Sequence, residues 1–203
     1  MSYSDFTLSQ LERDFQLTIY ERIKVFADVE PVEISAFLSE ILAENVPLAL
    51  AIHTEKARSE MIIAPILIEL RKLVNRKISL FSGVDFSVDY QKNLDGICDF
   101  IISKSEEQFF IKFPIIIIVE AKNENIKNGL PQCLSAMVAA QIFNDKENSA
   151  VTDIYGAVTT GNSWKFLKLQ GKAIFIDIDD YYINDPGKIM SNLLSMVEHG
   201  DHT

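Results

Sequence analysis

Leu8, Leu11, Phe15, Ile19, Ile23 and Phe26 recur mostly three or four residues apart, the period of an amphipathic helix, and predict a first helix over residues 8–27. Pro31 interrupts the pattern. Ile34, Phe37, Leu38, Ile41 and Leu42 restore it, predicting a second helix over 33–44 that ends before Pro47. Thr54 and Ser59, both capping types, precede a run from Met61 through Leu70 to Val74, which predicts a third helix over 55–75. Pro65 inside it is tolerable only near a first turn or at a kink.

After Asn75 the texture changes to short runs of β-branched and aromatic residues separated by turn residues. These predict strands at 78–88, 97–103, 114–122, 153–160, 164–170 and 173–179. The run Ile115-Ile116-Ile117-Ile118-Val119 has no polar alternation, as expected of a central strand buried on both faces. Leu134, Met137, Val138 and Ile142, with small Ala136, Ala139 and Ala140 between them, predict a helix over 130–144 packed closely on that strand. Ile189, Leu193, Leu194 and Val197 predict a closing helix over 186–199. The expected fold is therefore α/β, or α+β, with a central mixed sheet flanked by helices and an N-terminal helical extension. A chain of 203 residues suits a single domain: an acidic helical extension over 1–50, a core over 55–180 and the last helix.

Composition narrows the classes. No stretch approaches the roughly 20 apolar residues of a bilayer span, and the first 15 residues lack a basic segment leading into an apolar run. A soluble, cytoplasmic protein with no membrane partner is expected. Cys98 and Cys133 have no CxxC spacing and are expected to be buried thiols. The net charge of −10 opposes unassisted nucleic-acid binding, but its distribution is uneven: residues 1–50 hold nine acids against three bases. Lys56, Arg58, Arg71, Lys72, Arg76 and Lys77 form a basic stretch further on.

Glu120-Ala121-Lys122 ends the apolar strand, and a period of two places Glu120 and Lys122 on one face. If a hairpin loop spans Lys104 to Pro114, the antiparallel partner of Glu120 falls within a couple of residues of Asp99. Two carboxylates and an amine then meet. Asp99 and Glu120, with the Ala121 carbonyl, would form an oxygen-rich site for Mg²⁺ or Mn²⁺ that leaves water positions open. Such a metal lowers the pKa of bound water and draws charge from a phosphate, and Lys122 would orient the attacking water or stabilise developing charge. Glu60, on the preceding helix, is a candidate to complete the metal shell or hold Lys122.

These residues resemble the PD-(D/E)XK nuclease superfamily. The resemblance rests on Asp99 in Leu94-Asp95-Gly96-Ile97-Cys98-Asp99-Phe100, on Val119-Glu120-Ala121-Lys122 after a hairpin, and on Gly129-Leu130-Pro131-Gln132 opening the next helix. It covers roughly residues 55–180 and departs from the pattern where Cys98 stands before Asp99 in place of Pro. The stretches around Ala121–Asn125 and Trp164–Leu169 are similar to a bacterial, largely cyanobacterial, branch. The resemblance implies a restriction-endonuclease-like fold and a metal-dependent nuclease acting on nucleic acid, DNA before RNA. It makes Asp99, Glu120 and Lys122 catalytic and adds Gln132 and Glu60 to the site. A homodimer pooling basic surfaces, or a basic protein partner, would reconcile that activity with the acidic charge.

Plainer readings stand beside these. A Glu-x-Lys triplet arises about once by chance in a chain of this size, and a surface ion pair is the alternative for Glu120 and Lys122. Glu60 shares its helix with Glu55 and Glu69; Gln132 also reads as a solvent-facing or capping residue. Asp177, Asp179 and Asp180 offer a rival metal cluster or the polar side of an edge strand. His53, His199 and His202 lack ligand spacing, and Gly161-Asn162 reads as a hairpin turn. A different class of function is a nuclease-like fold that no longer cuts and serves as a binding or regulatory module.

Overall fold

The computed structural model describes residues 2–27 and 29–199; His202 lies outside them. After a 3₁₀ turn at Tyr3–Asp5, the elements are α1 (Leu8–Phe15), β1 (Thr18–Ile23), α2 (Ala36–Ile52), α3 (Glu55–Arg58), a π-helical turn (Ser59–Ile63) and α4 (Ala64–Leu73). Then come β2 (Ser79–Asp85), a 3₁₀ turn at Tyr90–Lys92, β3 (Ile97–Ser103), β4 (Ile115–Ala121), α5 (Ile126–Lys146), β5 (Asp153–Thr159), β6 (Ser163–Gln170), β7 (Ala173–Asp177), β8 (Tyr181–Tyr182) and α6 (Pro186–His199). The expected mixed sheet flanked by helices is found. Its order is β1-β7-β6-β5-β4-β3-β2, with β8 added beside β6. The pairs β1–β7 and β4–β5 are parallel and the others antiparallel.

The N-terminal region departs from expectation. The helix predicted over 8–27 stops at Gln16, which adopts a left-handed conformation (φ 57°), and residues 18–23 form an edge strand of the sheet. Ile19 and Ile23 lie four apart, a spacing that fits one helical face and also one strand face; the β-branched Thr18 and Ile19 then favour the strand. The N-terminal extension is thus only partly helical. Pro47 does not end α2, which runs through it to Ile52.

Pro65 is accommodated where the helix changes pitch. It has no N–H to offer Met61, four residues earlier, and the Asn45 side chain donates to the Met61 carbonyl instead, at 3.0 Å. The third helix is otherwise continuous as predicted, with the π turn inside it.

Two cores sandwich the sheet. Leu38, Leu42, Ile63, Leu67, Leu70 and Leu193 cover one face, and Leu11, Phe15, Cys133, Leu134, Met137 and Ala140 cover the other. All seven residues of β4 are buried, as expected of a central strand. Helix α5 is tied to β4 at one end by Asn144, whose side chain accepts from the Ile115 amide (2.8 Å) and donates to its carbonyl (2.7 Å). Midway, Gly156 of β5 lets the helix approach, since a Cβ there would sit 2.4 Å from Met137 Sδ. No helix among the described residues is long and apolar enough to cross a membrane.

Candidate functional site

The start of β3, the ends of β4, β5 and β7, and the start of β6 lie together at one end of the sheet, because their pairings alternate in direction. The candidate residues gather there, beside the first turns of α5. The ladder between β3 and β4 begins at Ser103–Ile115, so the loop is 104–114 as expected, and it closes at Phe100–Val119. One step on, Asp99 stands next to Glu120. Its Oδ2 accepts the Ala121 amide at 2.8 Å, a side chain taking over where main-chain pairing stops.

Glu120 and Lys122 share a face as the period of two requires, with Lys122 Nζ 2.6 Å from Glu120 Oε1. Lys122 Nζ also donates to Gln132 Oε1 at 3.2 Å, so helix α5 contributes directly. Gly129, one turn earlier, lies against the stem of Lys122: a Cβ there would be 3.0 Å from its Cγ and 2.6 Å from Val158 Cγ1. The Lys122 amide donates to the Thr159 carbonyl on β5. Lys122 is therefore held along its length by β5, α5 and Glu120.

Burial raises the Glu120 carboxyl to about 8, and the neighbouring Asp99 adds to the rise against the pull of Lys122. Burial lowers the Lys122 ammonium, but Glu120, Glu55 and Asp99 outweigh it and its net shift is upward. The result is a Glu120 carboxyl held against ionisation beside a charged lysine. A hard divalent cation suits such a carboxyl with Asp99 beside it, since it can replace the proton on Glu120. Among the described residues no group of three or more Asp, Glu, His or Cys side chains gathers to hold a metal. Asp99 and Glu120 fit such an ion by donor chemistry, with the Ala121 carbonyl and water left to complete it.

Glu60 does not join this cluster. It is exposed and faces Lys56 at 3.7 Å. Glu55, on the same helical stretch and five residues earlier, is the acid whose charge reaches Lys122. Nothing in the local sequence pattern separates these two acids. Cys98 and Cys133 are buried free thiols as expected, both raised by burial first and nearby acid second.

The rival cluster has a different occupant. Strand β7 is interior, flanked by β1 and β6, so the edge-strand explanation for Asp177 is overturned. Asp177 is buried; its carboxylate accepts from the Asp179 amide and the Tyr181 hydroxyl. Lys165 Nζ sits among the carbonyls of Asp177, Ile178 and Asp179 and the Asp180 carboxylate, the last at 2.6 Å. A tethered ammonium fills the cation position. A cleft of about 720 Å³ opens beside these residues and the start of α5, lined by Lys127, Leu130, Lys165 and Asp180, without Asp99, Glu120 or Lys122 in its wall. Gly161 turns the β5–β6 hairpin with φ 76°, as read. His53 and His199 bind protein groups.

No family model matches the chain, and no curated protein matches it.

Proposed function

We propose that the protein is a Mg²⁺- or Mn²⁺-dependent nuclease of the PD-(D/E)XK type that hydrolyses phosphodiester bonds, in DNA before RNA. The observation that carries this reading is the placing of Asp99 next to Glu120 at the end of a buried strand, with Glu120 held by Lys122 and Lys122 by Gln132. A surface ion pair needs none of this. Burial of one acid to 2% exposure costs free energy that a merely structural pair would avoid.

Asp99 and Glu120, with the Ala121 carbonyl, would hold the metal. When bound, that ion supplies Lewis acidity and a water of lowered pKa. Lys122 orients the attacking water and then faces the negative charge that grows on the phosphate oxygens. Gln132 and Glu120 fix the ammonium, so little reorganisation is needed when charge develops. Gly129 lets α5 come close enough for this.

The second reading, a fold retained for binding without cleavage, is favoured by one contact: Lys122 already engages Glu120 at 2.6 Å and competes with a metal for it. The deciding experiment is cleavage of supercoiled, linear and single-stranded DNA at low salt with Mg²⁺ or Mn²⁺, wild type against Glu120→Ala. Cleavage lost in the variant supports the nuclease. No cleavage by the wild type, with no thermal shift on adding metal, sinks it.

A further inference from the structure

We infer that Arg58 is a clamp for a backbone phosphate of the DNA strand, held closed in the free protein by His53 and Glu124. The inference rests on the reading of Asp99, Glu120 and Lys122 as the cleavage centre and adds a substrate contact beside it.

Arg58 is 7% exposed, yet among the described residues no carboxylate lies within ion-pair distance of it. Its Nη1 donates to the Thr160 carbonyl at 2.9 Å and its Nη2 lies 3.3 Å from His53 Nδ1, while Nε is buried with no acceptor. A guanidinium taken out of water without a negative partner is costly, and its planar donors match a phosphate.

The protein compensates that charge only at second hand. Arginine has donors alone, so His53 Nδ1 must accept from it, and the imidazole carries its proton on Nε2. Nε2 then donates to Glu124 Oε1 at 2.7 Å. The anion opposing Arg58 is thus a carboxylate relayed through a neutral ring. His53 and Glu124 are 54% and 69% exposed, and such a pair is weakly held. An incoming phosphate can displace it and engage Nη2 directly, with a full charge in place of a relayed one.

The position fits the chemistry. Thr160, which Arg58 holds, follows Thr159, which holds the Lys122 amide. Glu124 is two residues beyond Lys122, and Glu55, on the same short helix as Arg58, is felt by Lys122. The π turn begins immediately after Arg58, and Ile62 from that turn and Arg58 Cβ both pack under Gly161. Through Glu124 and Thr160, His53 and Arg58 thus touch both segments that hold Lys122.

The test is equilibrium binding of a fluorescein-labelled 20-mer DNA in EDTA across a salt series, which reads phosphate contacts without cleavage. Arg58→Gln should weaken binding about tenfold and reduce the salt slope by about one, the share of a single phosphate. Glu124→Gln, a surface change, should tighten binding several-fold by removing the competing anion, and His53→Ala should do the same. Wild type that does not bind the 20-mer overturns the clamp. So does an Arg58→Gln protein with unchanged slope or, if that variant fails to melt cooperatively, unchanged binding in Glu124→Gln and His53→Ala. Absence of cleavage with an Arg58-dependent slope sinks the nuclease and keeps the clamp; cleavage with unchanged slopes sinks the clamp alone.

Discussion

The Asp99 carboxylate accepts the main-chain amide of Ala121 at 2.8 Å, one residue past the last backbone pair between their strands. That bond satisfies a donor the sheet would otherwise leave open, and it fixes Asp99 against Glu120. Replacing Asp99 therefore removes a metal-type ligand and a strand contact together. Asp99→Asn keeps an acceptor for the amide, so it should abolish cleavage while lowering stability by no more than about 1 kcal/mol; denaturant melts alongside cleavage assays separate the two.

Glu120 has a marked pH signature. Its folded pKa, about 8, lies above the ordinary carboxylate value, so between roughly pH 4.5 and 8 the folded state binds more protons than the unfolded chain. Without metal, stability should fall as pH rises through that window. Glu120→Gln keeps the shape without the ionisation and should melt above wild type at pH 8.5, by on the order of 5 °C, with the gap closing at pH 5. A wild-type melting temperature flat across this range contradicts the raised Glu120 carboxyl.

Gly129 should be intolerant of a side chain. In Gly129→Ala the new Cβ meets Val158 at 2.6 Å and Lys122 at 3.0 Å. Overpacking of this kind costs about 1–3 kcal/mol. Because one of the two side chains displaced is Lys122, cleavage by the folded fraction should drop further than stability does, which single-turnover rates at a temperature well below melting would reveal.

Glu55 and Glu60 offer a direct contrast. Glu60→Ala breaks only an exposed 3.7 Å contact with Lys56 and should leave the cleavage rate within about twofold. Glu55→Ala removes a charge that Lys122 feels and should slow cleavage several-fold, more than Glu60→Ala does. The opposite ranking would restore Glu60 to the site.

Lys165→Met leaves the carbonyls of Asp177, Ile178 and Asp179 and the Asp180 carboxylate without their ammonium. Unpaired acceptors of this kind cost about 1–3 kcal/mol. The expected drop in melting temperature should be partly reversed by millimolar Ca²⁺, which prefers the same oxygen donors; no such rescue would mean that the cage is shaped for an ammonium alone.

Much of this molecule was legible along the chain. The uninterrupted apolar run at 115–119 announced a central strand, and the loop at 104–114 brought the partner of Glu120 within a couple of residues of Asp99; the register shift between Ile102 and Ser103, which no local pattern announced, sets Asp99 itself beside it. Period two alone put Lys122 beside Glu120. What the pattern could not resolve was any choice between elements of equal local merit. Ile19 and Ile23 fit a helix or a strand until β7 offered a pairing edge; Glu55 and Glu60 look alike until the fold pairs Glu60 with Lys56 and lets the charge of Glu55 reach Lys122; the acids at 177–180 suggest a cation site until Lys165 arrives from the adjacent strand. Local residue preferences act over a few positions and are written in the order of residues. Partner choice, burial of charge and competition for a cation depend on distances across the sheet, and only the folded chain sets those.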